Sequence, residues 1–300
     1  MEILVLGVAF TDIKGFPFGV YDPVGTNHGD VKITHGGVAR NVAEDLAIMG
    51  ARVEFPLLLD KTPLSDSVRA RLENAGIDLT NAVYVPEDGL GLWLAVFNEK
   101  GDLAGSISKM PDVSALEDMI REKGEALIRK ADAVVVEFDT SPAIARMVCD
   151  RADLWHKDIY AIVGNMSGIL ACPDLMARTR TVIMNGIEAG KMFGVSLEEK
   201  KPEEVLAVVI AEAGRMGLKS IVVTLGAEGC IYADRTAGEY GIVPAEPCRV
   251  VDTTGAGDAF FSAAVLALTG GDSLRTACEK GTHAAARVLA TEESVFPKED

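Results

Sequence analysis

Basic side chains are scarce in this sequence, with 29 Lys and Arg against 45 Asp and Glu in 300 residues and a formal net charge of −16. Nucleic acid and anionic membrane surfaces both demand basic partners, so neither is expected here. No Lys/Arg cluster reverses that balance. A polyanionic ligand must instead be held by backbone amides, a metal or a few local cations. Cysteine is sparse as well. Cys149, Cys172, Cys230, Cys248 and Cys278 have no C-x-x-C spacing, which suits reduced thiols filling a core in the cytoplasm rather than a disulfide framework. His28, His35, His156 and His283 lack metal-ligand spacing, which argues against zinc. No apolar run approaches the ~18 residues of a membrane span. The N-terminal segment lacks a positively charged start, so it is expected to be a first strand and not a signal peptide.

Hydrophobic residues make up 48% of the chain, enough to bury a large core. The stretch with most chemical content is Asp252-Thr-Thr-Gly-Ala-Gly-Asp-Ala-Phe260. After it, the apolar run from Ala259 to Leu268 stops at Gly270-Gly271 and predicts a buried helix. Gly255 and Gly257 then fall where a loop becomes a helix, with backbone N–H groups facing outward for an anion. Asp258 lies in the first helical turn. It is either a charge favouring the helix dipole, worth roughly 0.3–1 kcal/mol, or a general base beside an anion site. The residues alone leave both readings open.

In chain order, residues 2–9 predict a strand buried on both faces, with Asp12 just past its C-terminal end, the edge where open α/β sheets bind ligands. Residues 14–35 read as loop and short strands. After Gly36-Gly37, the spacing of Val38, Val42, Leu46 and Met49 predicts an amphipathic helix ended by Gly50. Asn41 beside that stripe serves either a ligand or a buried hydrogen bond. A strand over 52–59, a helix from Ser65 to Ala75 capped by Ser65, and an antiparallel hairpin between Val83 and Ser108 follow. Ser114-Ala-Leu-Glu117 reads as a capping box opening a helix to Lys130. Strands near 133–138, 159–163, 181–184 and 220–225 then alternate with helices over 142–153 and 203–216, before a hairpin through Tyr240. No repeat or linker divides the chain. The expectation is one α/β domain over 1–300, with helices on both faces of a mostly parallel sheet and a small β-lid drawn from about 14–35 and 83–110. Trp93, Leu94 and Val96 would expose an apolar lid face, which predicts a homodimer through the lids.

Four pieces in order, Gly36-Gly-Val-Ala-Arg-Asn41, Asn185-Gly-Ile-Glu188, Thr224-Leu-Gly-Ala-Glu-Gly229 and Asp252-Thr-Thr-Gly-Ala-Gly-Asp258, resemble the ribokinase (PfkB) carbohydrate kinase family. The resemblance covers essentially the whole chain and implies a ribokinase-like three-layer αβα fold. It implies an ATP-dependent kinase in which Asp258 takes the proton of the acceptor hydroxyl. The amides of Gly255, Ala256 and Gly257 would receive charge building on the transferred phosphoryl. By the same resemblance Asp12, Gly36, Gly37 and Asn41 grip the acceptor, while Asn185, Thr224, Gly226 and Gly229 hold the nucleotide. Asn185 and Glu188 help retain Mg²⁺ through its water shell, although the pair also reads as a helix cap with its capping-box partner. Carbonyls of Asp252 and Thr254 would offer themselves to K⁺.

Within the family, Gly36 to Glu44 together with Gly29-Asp-Val-Lys-Ile-Thr34 and Ser108-Lys-Met110 is similar to the pseudouridine kinase subgroup, which phosphorylates a nucleoside 5′-hydroxyl. A free sugar such as ribose or fructose, or another nucleoside, is the alternative acceptor, and a non-catalytic binding relative is a third reading. The sequence departs from the family where Ile183-Met184 replaces Lys-Pro and Gly164-Asn165 replaces Asp-Pro. A dinucleotide-dependent oxidoreductase is excluded, because Gly7-Val-Ala-Phe-Thr-Asp12 is not G-x-G-x-x-G.

Overall fold

A computed structural model describes residues 1–164 and 166–298. Its main sheet has eight strands, in the spatial order Glu239–Val243, Cys230–Asp234, Ser220–Thr224, Thr181–Asn185, Asp158–Ile162, Ala133–Glu137, Glu2–Leu6 and Arg52–Glu54. Cys230–Asp234 pairs antiparallel with both its neighbours, and all the other neighbours pair parallel. Parallel strands need covering on both faces, and their residues alternate accordingly. Leu4, Leu6, Val134 and Val136 pack under helices Ser114–Lys130, Pro142–Leu154 and Pro202–Arg215. Ile3, Val5, Ala133 and Val135 pack under helices Val38–Ile48, Pro63–Asn74, Ala256–Thr269 and Leu274–Leu289. The result is the expected three-layer αβα arrangement with a mostly parallel central sheet.

A second, four-stranded sheet is ordered Gly29–Gly36, Phe10–Pro17, Gly91–Phe97 and Leu103–Lys109. It begins at Phe10 rather than near 14, because the first strand ends at Leu6, short of the expected 9, and residues 7–9 carry the chain across to the second sheet. Asp12 therefore lies within a strand of this second sheet, not in a turn past the first strand. Val83–Tyr84 does not belong to it. That segment pairs with Leu58–Leu59 in a separate two-stranded sheet, and the expected strand over 52–59 is accordingly split in two, with Pro56 in the gap between Glu54 and Leu58.

Two helix starts differ from the sequence reading. Thr62, not Ser65, caps the helix Pro63–Asn74, its side chain accepting from the Ser65 amide; Pro63 at the first helical position fixes that start. At Ser114 no capping box forms. Asp112 instead accepts from the Ser114 amide and hydroxyl, and Glu117 accepts from the Ser141 hydroxyl of the neighbouring helix. Four of the cysteines fill the core as expected, whereas Cys248 is exposed. Among the described residues no helix is long and apolar enough to cross a membrane.

Candidate active site

The Gly255 turn has φ of 81°, and a Cβ there would lie 2.0 Å from the Ser294 carbonyl oxygen. Only glycine meets both demands. The helix Ala256–Thr269 starts directly after it, so the N–H groups of its first turn have no intrahelical partner and point into the space ahead. Asp258 in that turn is enclosed by protein yet keeps partial exposure towards that space. Burial pushes its carboxyl up to about 6, while the Asn41 hydrogen bond and the Arg40 charge pull against that rise and the Glu188 charge adds to it. A carboxylate so tuned can accept a proton near neutral pH.

On one side of Asp258 lies a cavity of about 640 Å³ that reaches Asp12, Gly36, Gly37 and Asn41. Strand register explains why the second sheet supplies its wall. Thr34, Asp12, Trp93 and Ser108 are direct cross-strand neighbours, so their side chains share a face, and all four line the cavity. Gly36 is bare because a Cβ would sit 2.2 Å from Asp12 Oδ1. Asn41, 6% exposed, donates from Nδ2 to Asp258 Oδ2 at 2.6 Å. Its Oδ1 is buried without a partner among the described residues, an acceptor suited to a ligand hydroxyl. Burial raises the Asp12 carboxyl, with Lys14 and Arg40 opposing.

On the other side a cavity of about 630 Å³, mainly apolar, runs from Thr224, Gly226 and Gly229 past Pro247 and Leu289 to Ala256 and Gly257. A third, about 220 Å³, brings Asn185, Glu188, Thr224 and Asp258 together. Asn185 and Glu188 do form a capping box, at 2.8 and 2.9 Å. Glu188 still lines that cavity, and burial raises its carboxyl. The turn carrying Asp252 and Thr254 is closed by a 2.8 Å bond from the Thr254 amide to Asp252 Oδ1. Every candidate from the sequence thus lies at one of three cavities that meet around Gly257 and Asp258, or at the turn leading into them.

Residues 2–300 match the sequence profile of pfkB family carbohydrate kinases. The chain belongs to that family. It is similar to a guanosine-inosine kinase from Exiguobacterium acetylicum, 31% identical over 99% of this chain and 97% of the relative. A pseudouridine kinase from Escherichia coli is 24% identical over 87% of this chain and 81% of its own length. Among solved structures, Arabidopsis thaliana ribokinase complexed with ribose and ATP superposes with a TM-score of 0.83 at 19% identity, covering 99% of this chain and 95% of that one. This PfkB kinase is a phosphotransferase acting on an alcohol group, and it binds a sugar or nucleoside together with ATP.

The kinase also places carboxylates at the site that sequence reasoning passed over. Glu137 ends the apolar strand Ala133–Glu137 and lines the larger polar cavity with Asp139. Glu137 accepts from the Val8 amide and the Thr140 hydroxyl, and burial lifts its carboxyl to about 7. Asp139 accepts from the amides of Gly164 and Gly168 at 2.7 and 2.6 Å. A signal was present: one acidic residue closing an otherwise apolar strand, at the sheet edge where ligands bind. Of the two departures from the family pattern, Ile183 and Met184 are buried and line the small cavity. Asn165, the other departure, lies outside the described residues.

Proposed function

We propose that this kinase transfers the γ-phosphoryl group of ATP to the 5′-hydroxyl of a ribonucleoside, with guanosine and inosine as first acceptors and pseudouridine second. One observation carries the reading: Asp258 lines both the cavity holding Asp12, Gly36, Gly37 and Asn41 and the small one holding Asn185, Glu188 and Thr224, and its neighbour Gly257 lines that small one and the cavity holding Gly226 and Gly229. An acceptor in the first and ATP in the others would meet at that carboxylate. Purine nucleosides are placed first because the guanosine-inosine kinase is similar along the whole chain. The acceptor cavity is also lined by Arg71 and Glu293, outside the set Asp12, Gly36, Gly37 and Asn41, which leaves space for a base beside the ribose.

In the proposed reaction Asp258 draws the proton from the 5′-hydroxyl as the oxygen attacks phosphorus. Asn41 keeps the receiving oxygen fixed through its 2.6 Å bond. The amides of Gly255, Ala256 and Gly257 face the charge gathering on the transferred group, donors already oriented before reaction. Thr224, Gly226 and Gly229 seat the nucleotide, whose adenine finds apolar walls. The oxygen donors of Asn185 and Glu188 at the small cavity fit Mg²⁺ held through water, and the ion when bound neutralises phosphate charge. Carbonyls at Asp252 and Thr254 suit K⁺ beside the amide donors.

The chain is read as one ribokinase-like domain over 1–300, with the second sheet as a lid. On the lid's outer face Ile33, Ile13, Leu94 and Ile107 lie in register across all four strands, and Ile33, Leu94 and Ile107 are 44–69% exposed. That row, together with Val31 and Leu103, suits a second copy and supports a homodimer; Trp93 belongs to the opposite face. Unpaired cysteines fit a reducing cytoplasm.

Steady-state kcat/KM for guanosine, inosine, adenosine, pseudouridine, uridine, ribose and fructose tests the reading. A preference for free sugars would overturn the nucleoside assignment, and binding without ATP consumption would overturn catalysis.

A further inference from the structure

The acceptor cavity extends to Arg71 on the helix Pro63–Asn74, a residue outside every motif that placed the site. Its guanidinium is held on one edge. Nε donates to both oxygens of Glu44 at 2.9 Å. Glu44, only 4% exposed, is fixed in turn by Arg40 Nη1 at 2.7 Å. Arg40 anchors the chain to the sugar end of the cavity, donating to the Gly36 carbonyl at 3.3 Å and the His35 carbonyl at 2.5 Å. An arginine so restrained loses little side-chain freedom when a ligand arrives.

The opposite edge is open to exchange. Nη2 meets Glu293 at 3.3 Å, and Glu293 is 66% exposed, so that pair is weak and easily replaced. Among the described residues, no hydrogen bond uses Nη1. The guanidinium at the cavity therefore has Nη1 without a partner among the described residues and Nη2 on an exchangeable one, two N–H groups on a side chain held at Nε.

Given the nucleoside kinase reading above, we propose that Arg71 is the residue that selects a 6-oxopurine base, its guanidinium donating to O6 and N7. Guanine and hypoxanthine present these two acceptors side by side, the pattern that arginine takes bidentately. Adenine replaces O6 with an amino donor, which would face the guanidinium donor to donor. A uracil ring offers carbonyls separated by N–H groups rather than an adjacent acceptor pair. Arg71 thereby ranks guanosine and inosine above adenosine and above pseudouridine.

Two comparisons test this. The first needs no variant: 7-deazaguanosine lacks the N7 acceptor and is otherwise guanosine. Its KM with the unmodified kinase should exceed that of guanosine by roughly ten-fold, with kcat little changed, because the lost bond is remote from the reacting oxygen. The second uses Arg71→Met, which keeps a side chain of similar reach and removes every donor. The guanosine-to-adenosine ratio of kcat/KM should fall by roughly ten-fold or more, and the variant should no longer distinguish 7-deazaguanosine from guanosine. Equal KM values for the two guanosines in the unmodified kinase, or an unchanged ratio in Arg71→Met, overturns the assignment. A kinase that takes adenosine as readily as guanosine sinks this inference and leaves the nucleoside reading standing. A kinase that takes only free sugars sinks both.

Discussion

Asn41 and Asp258, 217 positions apart, are joined by a 2.6 Å hydrogen bond from the amide to the carboxylate. The bond ties the helix following the Gly36-Gly37 pair to the helix following the Gly255 turn. It favours the ionised form of Asp258 and so offsets part of the upward push from burial.

Replacing Asp258 by Asn removes the proposed base while keeping size and polarity. Turnover should fall by ~10²-fold or more. ATP affinity by calorimetry should stay nearly unchanged, and an unimpaired variant would remove Asp258 from the mechanism.

A base must be ionised to act, and the Asp258 carboxyl lies at about 6. Acceptor kcat/KM should therefore rise with pH through an inflection near 6 and level off above it. In Asn41→Ala the bond that favours the carboxylate is gone, so the inflection should move to higher pH. A limb that stays in place would disconnect Asn41 from the titration, whatever happens to KM.

The glycines of the turn should respond differently. At Gly255 an alanine needs φ of 81° and collides with the Ser294 carbonyl; Gly255→Ala should lose at least ~1–3 kcal/mol of stability along with activity. At Gly257 an added Cβ meets nothing within 4 Å. Gly257→Ala should unfold no more easily than the parent, by up to ~1 kcal/mol in its favour, so any loss of turnover there reports a phosphate approaching the backbone. Denaturant titration and kcat, measured on both variants, separate the two effects.

Chelation of divalent ions should abolish turnover, and Mg²⁺ should restore it. In Glu188→Gln the Mg²⁺ concentration for half-maximal rate should rise by roughly 10-fold or more. An unchanged requirement would leave Glu188 as a helix cap only.

Glu137 bears on stability. Its carboxyl is raised from 4.5 to about 7 in the folded chain, so the native state holds a proton that the unfolded state releases. That contribution is present below about 4.5 and is lost as pH rises through about 7. Glu137→Gln cannot lose it, so its denaturant midpoint should drop less than the parent's between about pH 5 and about pH 8. Equal drops would show that Glu137 does not titrate in this range.

The sequence by itself determined the layered α/β plan, the glycine turn ahead of Asp258, and the order of the four motifs that resemble the family. These are legible because hydrophobic periodicity, glycine conformation and motif order are local properties. Elements that depend on a neighbour were not. Ser114 lost its expected capping partner because Glu117 found Ser141 across a helix pair. Helix Leu274–Leu289, by contrast, carries a legible local signal, a Ser273 cap with Leu274, Ala277, Cys278, Gly281 and Ala284 at helical spacing. Only the tertiary structure decided that Asp12 faces the cavity from a second sheet, that Glu137 is a buried carboxyl at the site, and that Arg71 reaches the acceptor cavity through Glu44 and Arg40. Such side chains are brought together by strand register and by which sheet face a helix covers, and contacts across so many residues leave no trace in local spacing.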